Sequence, residues 1–321
     1  MTDRLKNKVK EQTLIIKRCP LCISSINSDF RAGYLYGIKI NYRVCHSCGF
    51  IFQSPTYTNE EWNYFYKNEY RKLYDNNLSP TERQINLQEK RASAYLGFIK
   101  EFNKNFTSEF HVDIGSSTGI FLRELKKYFR VKRISGIELS HEYREFSNNN
   151  NIPTYESLDG LQNECKINSI SMFNVLEHLP RPVEYLSDIV EKQLSNDGMV
   201  FIEVPNIEGG AGMELAHMHL FTPSTLRATF LKAGLKIIFL KLHGKPRSHK
   251  LNENRYIFAI AKKSHDQQYI VLKNSNFLKR LLTKLLSYKY EKYSWSSFFL
   301  RLPFIGINYV FKKYIRIIKK K

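Results

Sequence analysis

The sequence predicts an α/β protein whose core is a doubly wound sheet, and three observations carry that prediction. Residues 110–138 read as strand, small-residue turn, helix, strand and acid. Strands and helices then alternate as far as residue 261, which is typical of a sheet with helices on both faces. Two C-x-x-C pairs precede this region and predict a separate small module. The expected fold is therefore a Rossmann-like sheet of seven strands, with a small N-terminal zinc ribbon and a basic helical tail at the C-terminus.

Apolar periodicity and turn residues place the elements in order. Ser79-Pro80 and Pro182 are predicted helix starts, and Gly234 closes a helix. The triplet at residues 196–198, Asn-Asp-Gly, predicts a turn before the fifth strand. The predicted helices cover residues 80–105, 119–129, 140–148, 182–194 and 224–232. The predicted strands cover residues 110–114, 133–137, 152–155, 167–176, 199–204, 236–242 and 255–261.

These patterns divide the 321 residues into five segments. The segments are a basic tail (1–18), the zinc ribbon (19–54), a tyrosine-rich connector with a helix (55–108), the sheet domain (109–263) and a basic amphipathic extension (264–321).

The turn after the first strand predicts a ligand site. Small residues from Gly115 to Gly119 let a ligand approach the backbone closely. The second strand ends in Glu138, which is placed to accept hydrogen bonds from ribose hydroxyls. A dinucleotide-binding turn needs a glycine two residues after Gly115, where Ser117 stands here. The turn is therefore not the dinucleotide fingerprint.

The form D-x-G-x-x-x-G, from Asp113 to Gly119, resembles motif I of class I S-adenosylmethionine (SAM) dependent methyltransferases. The resemblance implies that Asp113 and the turn meet the methionine end of SAM, that Glu138 meets its ribose, and that residues after the third strand line the adenine pocket. The cofactor-binding candidates are Asp113, Gly115, Ser116, Ser117, Gly119, Glu138, Leu158, Asp159 and Asn174.

Four cysteines in two close pairs predict a metal site. Cys19, Cys22, Cys45 and Cys48 can present four thiolates to one tetrahedral zinc, as in a zinc ribbon. Four thiolates close the coordination shell and leave no position for water or substrate, so we expect a structural zinc. Paired cysteines of this spacing suit a reducing cytosol better than disulfides do.

Three further segments resemble methyltransferase motifs. A tyrosine-rich stretch after the ribbon resembles a bacterial group that includes sugar C-methyltransferases, which implies that Tyr66 and Tyr70 lie near the substrate. Residues 174–182 resemble the motif after the fourth strand of many small-molecule methyltransferases. Residues 219–222 resemble a family segment of His, Phe and Ser or Thr before a helix, matched here by His219, Phe221 and Thr222, with Met218 where sugar C-methyltransferases carry Glu. That difference favours O- or N-methylation. The candidate bases are His219, then His217, then His178, and Asn206 is a further substrate candidate.

The formal net charge of +20 indicates an anionic partner. Residues 264–321 hold thirteen Lys and Arg against two acids, and so supply +11 of it. Three roles remain open for this tail: contact of residues 270–321 with an anionic membrane, packing on the catalytic domain, or an arm for RNA. We see no secretory signal and no membrane-spanning run, and we expect a cytoplasmic protein, peripheral at the inner face of the membrane if the tail binds there.

The expected function is methyl transfer from SAM to a small-molecule or glycan acceptor, including a lipid-linked sugar. The alternatives are a zinc-ribbon RNA methyltransferase and a non-catalytic binding protein whose turn has lost SAM. RNA is disfavoured because the ribbon and sheet domain together carry a net charge of only about +5, and RNA-binding proteins place basic residues beside the cleft.

Overall fold

The computed structural model describes residues 12–161, 166–244 and 254–264. The segment for which we predict membrane contact, packing or RNA binding lies outside the described residues.

The N-terminal part is an antiparallel sheet followed by helices. Strands β1 (Asn27–Leu35) and β2 (Ile38–Cys45) form a hairpin, and β3 (Ile51–Gln53) pairs with β2. Thr58 and Glu61 form a capping box that begins the next helix. Three helices follow, which are α1 (Asn59–Asn68), α2 (Tyr70–Tyr74) and α3 (Glu82–Phe102).

The second part holds the seven-stranded sheet with its helices and one further strand, His219–Leu220, which belongs to the small sheet. In chain order the elements are β4 (Thr107–Ile114), α4 (Ile120–Tyr128), β5 (Arg130–Ile137), α5 (His141–Asn149), β6 (Thr154–Tyr155), β7 (Ile167–Phe173), α6 (Pro182–Lys192), β8 (Leu194–Pro205), β9 (His219–Leu220), α7 (Pro223–Lys232), β10 (Leu235–His243) and β11 (Tyr256–Lys263).

The strand order in the large sheet is β6-β5-β4-β7-β8-β11-β10. The five strands β4 to β8 run parallel to one another. Strand β11 is antiparallel to both of its neighbours, β8 and β10. The central strands are buried on both faces because helices cover both, and Val112, Ile170 and Ile202 are fully buried. The predicted fold class is confirmed.

The predicted turn at residues 196–198 lies inside a strand. Ile167 pairs with Leu194 and Ser169 pairs with Met199, so β8 carries three extra residues between these pairs. These residues form a bulge, because the flanking backbone keeps its pairing with β7 on both sides. The turn-type residues at 196–198 therefore lie in a bulge within β8, and the strand begins at Leu194 and not after the turn as predicted.

The ribbon is joined to the sheet domain by backbone pairing. Strand β9 pairs antiparallel with β3, so that Ile51 lies opposite Leu220 and Phe52 opposite His219. The small sheet therefore has the order β1-β2-β3-β9, with its last strand contributed by the sheet domain.

Among the described residues, none of the helices has the length and apolar character needed to cross a bilayer.

Candidate functional site

A cavity of about 880 Å³ opens at the carboxyl edge of the parallel strands. Ligands of open α/β sheets bind at this edge, where neighbouring strand ends diverge. One side of the cavity, here called the sheet half, is formed by Asp113, residues 115–118 and Glu138. The facing side, here called the loop half, is formed by Tyr66, Tyr70, His178, Glu214 and His217.

The backbone of the turn after β4 can accept only a small residue at its first position. Gly115 has φ +74°, and a Cβ atom built there would lie 2.5 Å from Cγ2 of Val175. A side chain at this position would therefore meet both a disfavoured backbone conformation and a steric clash. The turn is held open beside the cavity by this glycine.

Glu138 faces the turn. Its Oε2 accepts a hydrogen bond from the Ser117 amide (2.9 Å), and its Oε1 accepts one from the Ser140 amide (3.0 Å). Arg71 Nη2 lies 3.5 Å from Oε2, and the Arg71 guanidinium lies over the Tyr143 ring at 3.7 Å. Burial alone would lower the pKa of Arg71, but the Glu138 carboxylate raises it overall. The carboxylate is thus fixed in direction by backbone amides.

Asp113 ends a buried polar chain that runs beneath the turn. Its Oδ1 accepts a 2.5 Å hydrogen bond from Ser171 Oγ, which lies 2.9 Å from His111 Nε2. His111 Nδ1 lies 2.7 Å from Ser169 Oγ. Burial raises the pKa of Asp113 to about 7, the bond from Ser171 opposes the shift, and the charge of Glu138 adds to it. The carboxyl group can therefore titrate near neutral pH in the free protein.

Asn174 is held at the cavity wall by a residue from β8. Its φ is +56°, its amide donates to the Glu203 carbonyl (2.8 Å), and its side chain donates to Glu203 Oε1 (2.8 Å). Tyr95 donates a 2.7 Å hydrogen bond to the same oxygen, and His243 Nε2 lies 2.9 Å from Glu203 Oε2. Sequence reasoning missed Glu203 because it reads as one residue of an ordinary buried strand.

Arg91 brings a permanent positive charge to the cavity wall. Burial alone would lower its pKa, and nearby Tyr95 and Glu203 raise it overall. Within the described part of the chain, the Arg91 guanidinium forms no ion pair closer than 4 Å. This charge is therefore open to an anionic group of a ligand.

The loop half contains two imidazoles whose neutral tautomer is set by backbone carbonyls. His178 Nδ1 lies 2.9 Å from the Ala216 carbonyl oxygen, which also accepts a bond from Tyr66 Oη (2.9 Å). His217 Nδ1 lies 2.6 Å from the Gly212 carbonyl oxygen. A carbonyl only accepts, so Nδ1 carries the proton in both neutral rings and Nε2 is left with its lone pair.

Glu177 lies behind these two rings. Its Oε1 is 3.9 Å from Nε2 of His178 and 3.9 Å from Nε2 of His217. The residue is 1% exposed, and neither carboxylate oxygen has a hydrogen-bond partner among the described residues. Burial raises the pKa of Glu177 well above its usual range. Burial, with a smaller contribution from His217, lowers the pKa of His178 to about 3, against the carbonyls of Ala216 and Asn174.

The ribbon positions the segment that carries His217. Tyr42 Oη lies 2.7 Å from the His217 carbonyl oxygen and 2.9 Å from that of Glu214. Gln53 Nε2 donates to the carbonyls of His217 (2.8 Å) and Leu215 (2.9 Å). Both Tyr42 and Gln53 are buried, and both belong to the small sheet. The loop half is therefore built on the ribbon.

The candidate site residues fall into two groups. Gly119, Asn206 and His219 do not line the cavity, whereas the other predicted cofactor, substrate and base candidates do. Gly119 precedes α4 as its N-cap, with φ +70°. Asn206 is buried and donates to the Asn254 carbonyl (2.8 Å).

His219, the first of the three candidate bases, is directed to the ribbon. The pairing of β9 with β3 places its ring against Phe50 with centroids 5.2 Å apart, and its Nε2 lies 3.3 Å from the Pro180 carbonyl oxygen. Burial lowers the pKa of His219 to about 4. The geometry therefore favours His217 and His178 over His219 for chemistry in the cavity.

The four ribbon cysteines form a cluster with metal-ligand spacing. All four Sγ atoms lie within 4.8 Å of one another, with 3.6 Å between Cys19 and Cys48 and 3.5 Å between Cys22 and Cys45. Zinc–sulfur bonds of about 2.3 Å in a tetrahedron place the sulfurs about 3.8 Å apart. The cluster therefore fits one zinc ion.

A family model described as a methyltransferase domain matches residues 87–240. The chain carries a class I SAM-dependent methyltransferase domain. The match includes the turn after β4, Glu138 and the Glu177-His178 pair. A search of the curated proteins found no match to the sequence.

The chain is similar to several solved methyltransferase structures. The 1,6-didemethyltoxoflavin-N1-methyltransferase of Burkholderia thailandensis, bound to 1,6-didemethyltoxoflavin and S-adenosylhomocysteine, is 13% identical with a TM-score of 0.51, covering 73% of this chain and 99% of that chain. The magnesium protoporphyrin IX methyltransferase of Synechocystis is 13% identical (TM-score 0.43, covering 63% and 97%). A SAM-dependent methyltransferase of Clostridium acetobutylicum is 10% identical (TM-score 0.42, covering 61% and 96%). The Burkholderia enzyme supports the doubly wound fold of this methyltransferase.

Proposed function

We propose that this methyltransferase transfers the methyl group of SAM to an oxygen or nitrogen atom of a small-molecule or glycan-type acceptor, with SAM in the sheet half and the acceptor in the loop half. The observation that carries the proposal is the continuity of the cavity. A turn that leaves space beside Glu138 faces a wall of tyrosines and imidazoles across one continuous volume.

The sheet half has groups for each end of SAM. Glu138 is oriented by two amides and retains lone pairs for ribose hydroxyls. Asp113 suits the ammonium of the methionine end, and the guanidinium of Arg91 suits its carboxylate. SAM supplies an activated methyl group, and the residues of the chain align it and exclude water.

The loop half has groups for an acceptor that carries hydroxyl or amine protons. Tyr66 and Tyr70 line the cavity, and aromatic side chains are common in the walls of small-molecule sites. The Nε2 lone pairs of His178 and His217 lie on the Glu177 side of the cavity wall. We assign removal of the acceptor proton to this cluster and prefer His217 to His178 as the base. The reason is that His217 Nε2 lies 3.9 Å from a carboxylate oxygen of each of two residues, Glu177 and Glu214.

The test is incubation of the purified protein and a cell extract with methyl-labelled SAM, followed by separation of RNA, lipid and water-soluble sugar fractions. We expect label in a sugar or small-molecule fraction, including sugar released from lipid by mild acid. The matched control is Glu138→Ala, which should fail to bind SAM in calorimetry and leave every fraction unlabelled. Label confined to RNA would overturn the acceptor class. Absence of SAM binding by the wild-type protein would overturn methyl transfer itself and favour a non-catalytic binding protein.

A further inference from the structure

One cluster in the loop half has the composition of a metal site and lies apart from the four cysteines. One ligand atom from each of Glu177, His178 and His217 can be chosen so that all three lie within 4.8 Å of one another. Both imidazole Nε2 atoms face the same oxygen, Oε1 of Glu177, at 3.9 Å. Glu177 and His178 follow β7, whereas His217 lies in the segment that the ribbon holds. The cluster therefore forms only when these two distant parts of the chain come together in the folded protein.

The arrangement of lone pairs in this cluster calls for a positive charge. Both Nδ1 atoms face backbone carbonyls, which leaves each Nε2 as an acceptor. Two acceptor nitrogens therefore face one carboxyl group, and the single proton that this group holds when neutral can satisfy at most one of them. Ionisation of a buried carboxyl group without a nearby positive charge is costly by several kcal/mol. A bound cation favours the ionised form and satisfies the lone pairs of all three groups together.

The outer contacts of the cluster are those that metal-bound histidines require. A histidine that binds a metal through one nitrogen usually donates its other ring N–H to a carbonyl or carboxylate, which fixes the tautomer and the direction of the ring. His178 is oriented in this way by Ala216, and His217 by Gly212. Tyr42 and Gln53 in turn hold the His217 backbone.

We propose that Glu177, His178 and His217 bind one divalent transition-metal ion. Two imidazoles and one carboxylate suit ions of the zinc, iron, cobalt and manganese class better than calcium or magnesium, which prefer oxygen ligands. Ligand bonds of about 2.0–2.2 Å place ligand atoms about 3.0–3.5 Å apart, so the 3.9 Å separations need to close by only about half an ångström. Three protein side chains leave coordination positions of the ion open. An oxygen of the acceptor molecule in the loop half would bind there.

The ion site and the methyltransferase activity are separable. Ion binding depends on three side chains of the loop half and needs no SAM. The use of the ion to hold an acceptor oxygen rests on the proposed function. In the ion-bound protein the two Nε2 lone pairs are occupied, so the ion would activate that oxygen in place of the imidazoles. We therefore test the site by metal content, and SAM binding is measured on the same samples.

The experiment is equilibrium dialysis of the zinc-loaded full chain against Co²⁺, with cobalt and zinc per chain measured by elemental analysis. We expect the wild-type protein to take up one cobalt while its ribbon zinc stays in place, and its visible spectrum to lack a thiolate-to-cobalt charge-transfer band. Glu177→Gln and His217→Asn should each weaken cobalt binding at least about tenfold. Removing a residue that only hydrogen-bonds to a metal ligand already weakens metal binding by about tenfold or more, and these variants remove a ligand itself.

The control variant is His141→Asn, which removes an exposed histidine and should leave the cobalt uptake unchanged. Ribbon zinc serves as the folding check in every variant, because the cysteine cluster is built on the same small sheet. Two outcomes would overturn the proposal: no cobalt bound by the wild-type protein, or equal cobalt binding by wild type and both zinc-retaining variants. In either case the cluster acts as a proton acceptor without an ion.

Discussion

The two halves of the cavity are built in different ways. The sheet half uses residues 113–138, a single stretch of chain in which β4 and β5 lie side by side. Asp113 pairs with Gly136 and Ile114 with Ile137, so the turn and Glu138 must meet at one edge of the sheet. The loop half gathers Tyr66, His178 and His217 from three distant segments.

Under the proposed function, this difference separates binding of the methyl donor from binding of the acceptor. The backbone geometry of a parallel sheet positions the residues for the methyl donor, which are chiefly the glycine of the turn and the acid at the end of the second strand. The second depends on contacts between modules, above all those of Tyr42 and Gln53 with the 214–217 segment. Changes in either half should therefore affect different measured quantities.

The largest effect is expected from His217→Asn. Loss of a group that handles a proton or binds an ion in the transition state should lower methyl transfer by about 10²–10⁴-fold. SAM affinity should stay within about twofold by calorimetry, because His217 belongs to the loop half. His219→Asn is the matched comparison and should reduce transfer less while lowering the melting temperature, since its ring packs on Phe50. A larger loss of transfer in His219→Asn than in His217→Asn would refute our assignment.

The next effect is expected from Gly115→Ala. The added methyl group meets Val175 at 2.5 Å and forces alanine into a left-handed conformation that costs about 1 kcal/mol or more. We expect SAM affinity to fall at least about tenfold, measured by calorimetry. Gly97→Ala is the control: Gly97 lies in α3 with nothing within 4 Å of its added Cβ, and that variant should be stabilised by up to about 1 kcal/mol with SAM affinity unchanged.

A smaller and more selective effect is expected from Gln53→Leu. The change removes the side-chain donor of the Leu215 carbonyl, at a cost of about 1–3 kcal/mol, and leaves the His217 carbonyl with Tyr42 alone, so the segment that carries His217 should shift. We expect kcat/KM for the acceptor to fall about tenfold while the dissociation constant of SAM changes by less than about twofold. Equal losses of both quantities would show that the two halves are not independent.

The smallest effect is expected from pH. Because burial raises the pKa of Asp113 to about 7, its carboxyl is neutral below that pH and ionised above it in the free protein. A cationic methionine end prefers the ionised form, so SAM affinity should fall as pH decreases through 7, by about tenfold between pH 8 and pH 6. Asp113→Asn should bind SAM weakly with no such dependence. A pH dependence retained in Asp113→Asn would assign it to another group.

The sequence predicted the sheet half more completely than the loop half, for physical reasons. Strand ends, a small-residue turn and an acid are local features, so the sheet and its edge follow from the periodicity and were confirmed. The partners of His217 and Glu177 lie far apart in the chain, and no local pattern reports their proximity. His219 was ranked first among the bases because its motif is local, but its pairing with Phe52 in β3 depends on the ribbon.

The shared sheet of ribbon and catalytic domain limits how such proteins can be recombined. Strand β9 is the fourth strand of the ribbon and also follows directly from the segment that carries His217. A ribbon transplanted from a relative would arrive without the strand that completes it, and the recipient domain would lose the support of the segment that lines the loop half. In engineered chimaeras, the crossover points should therefore keep residues 19–54 together with residues 212–221 from the same parent.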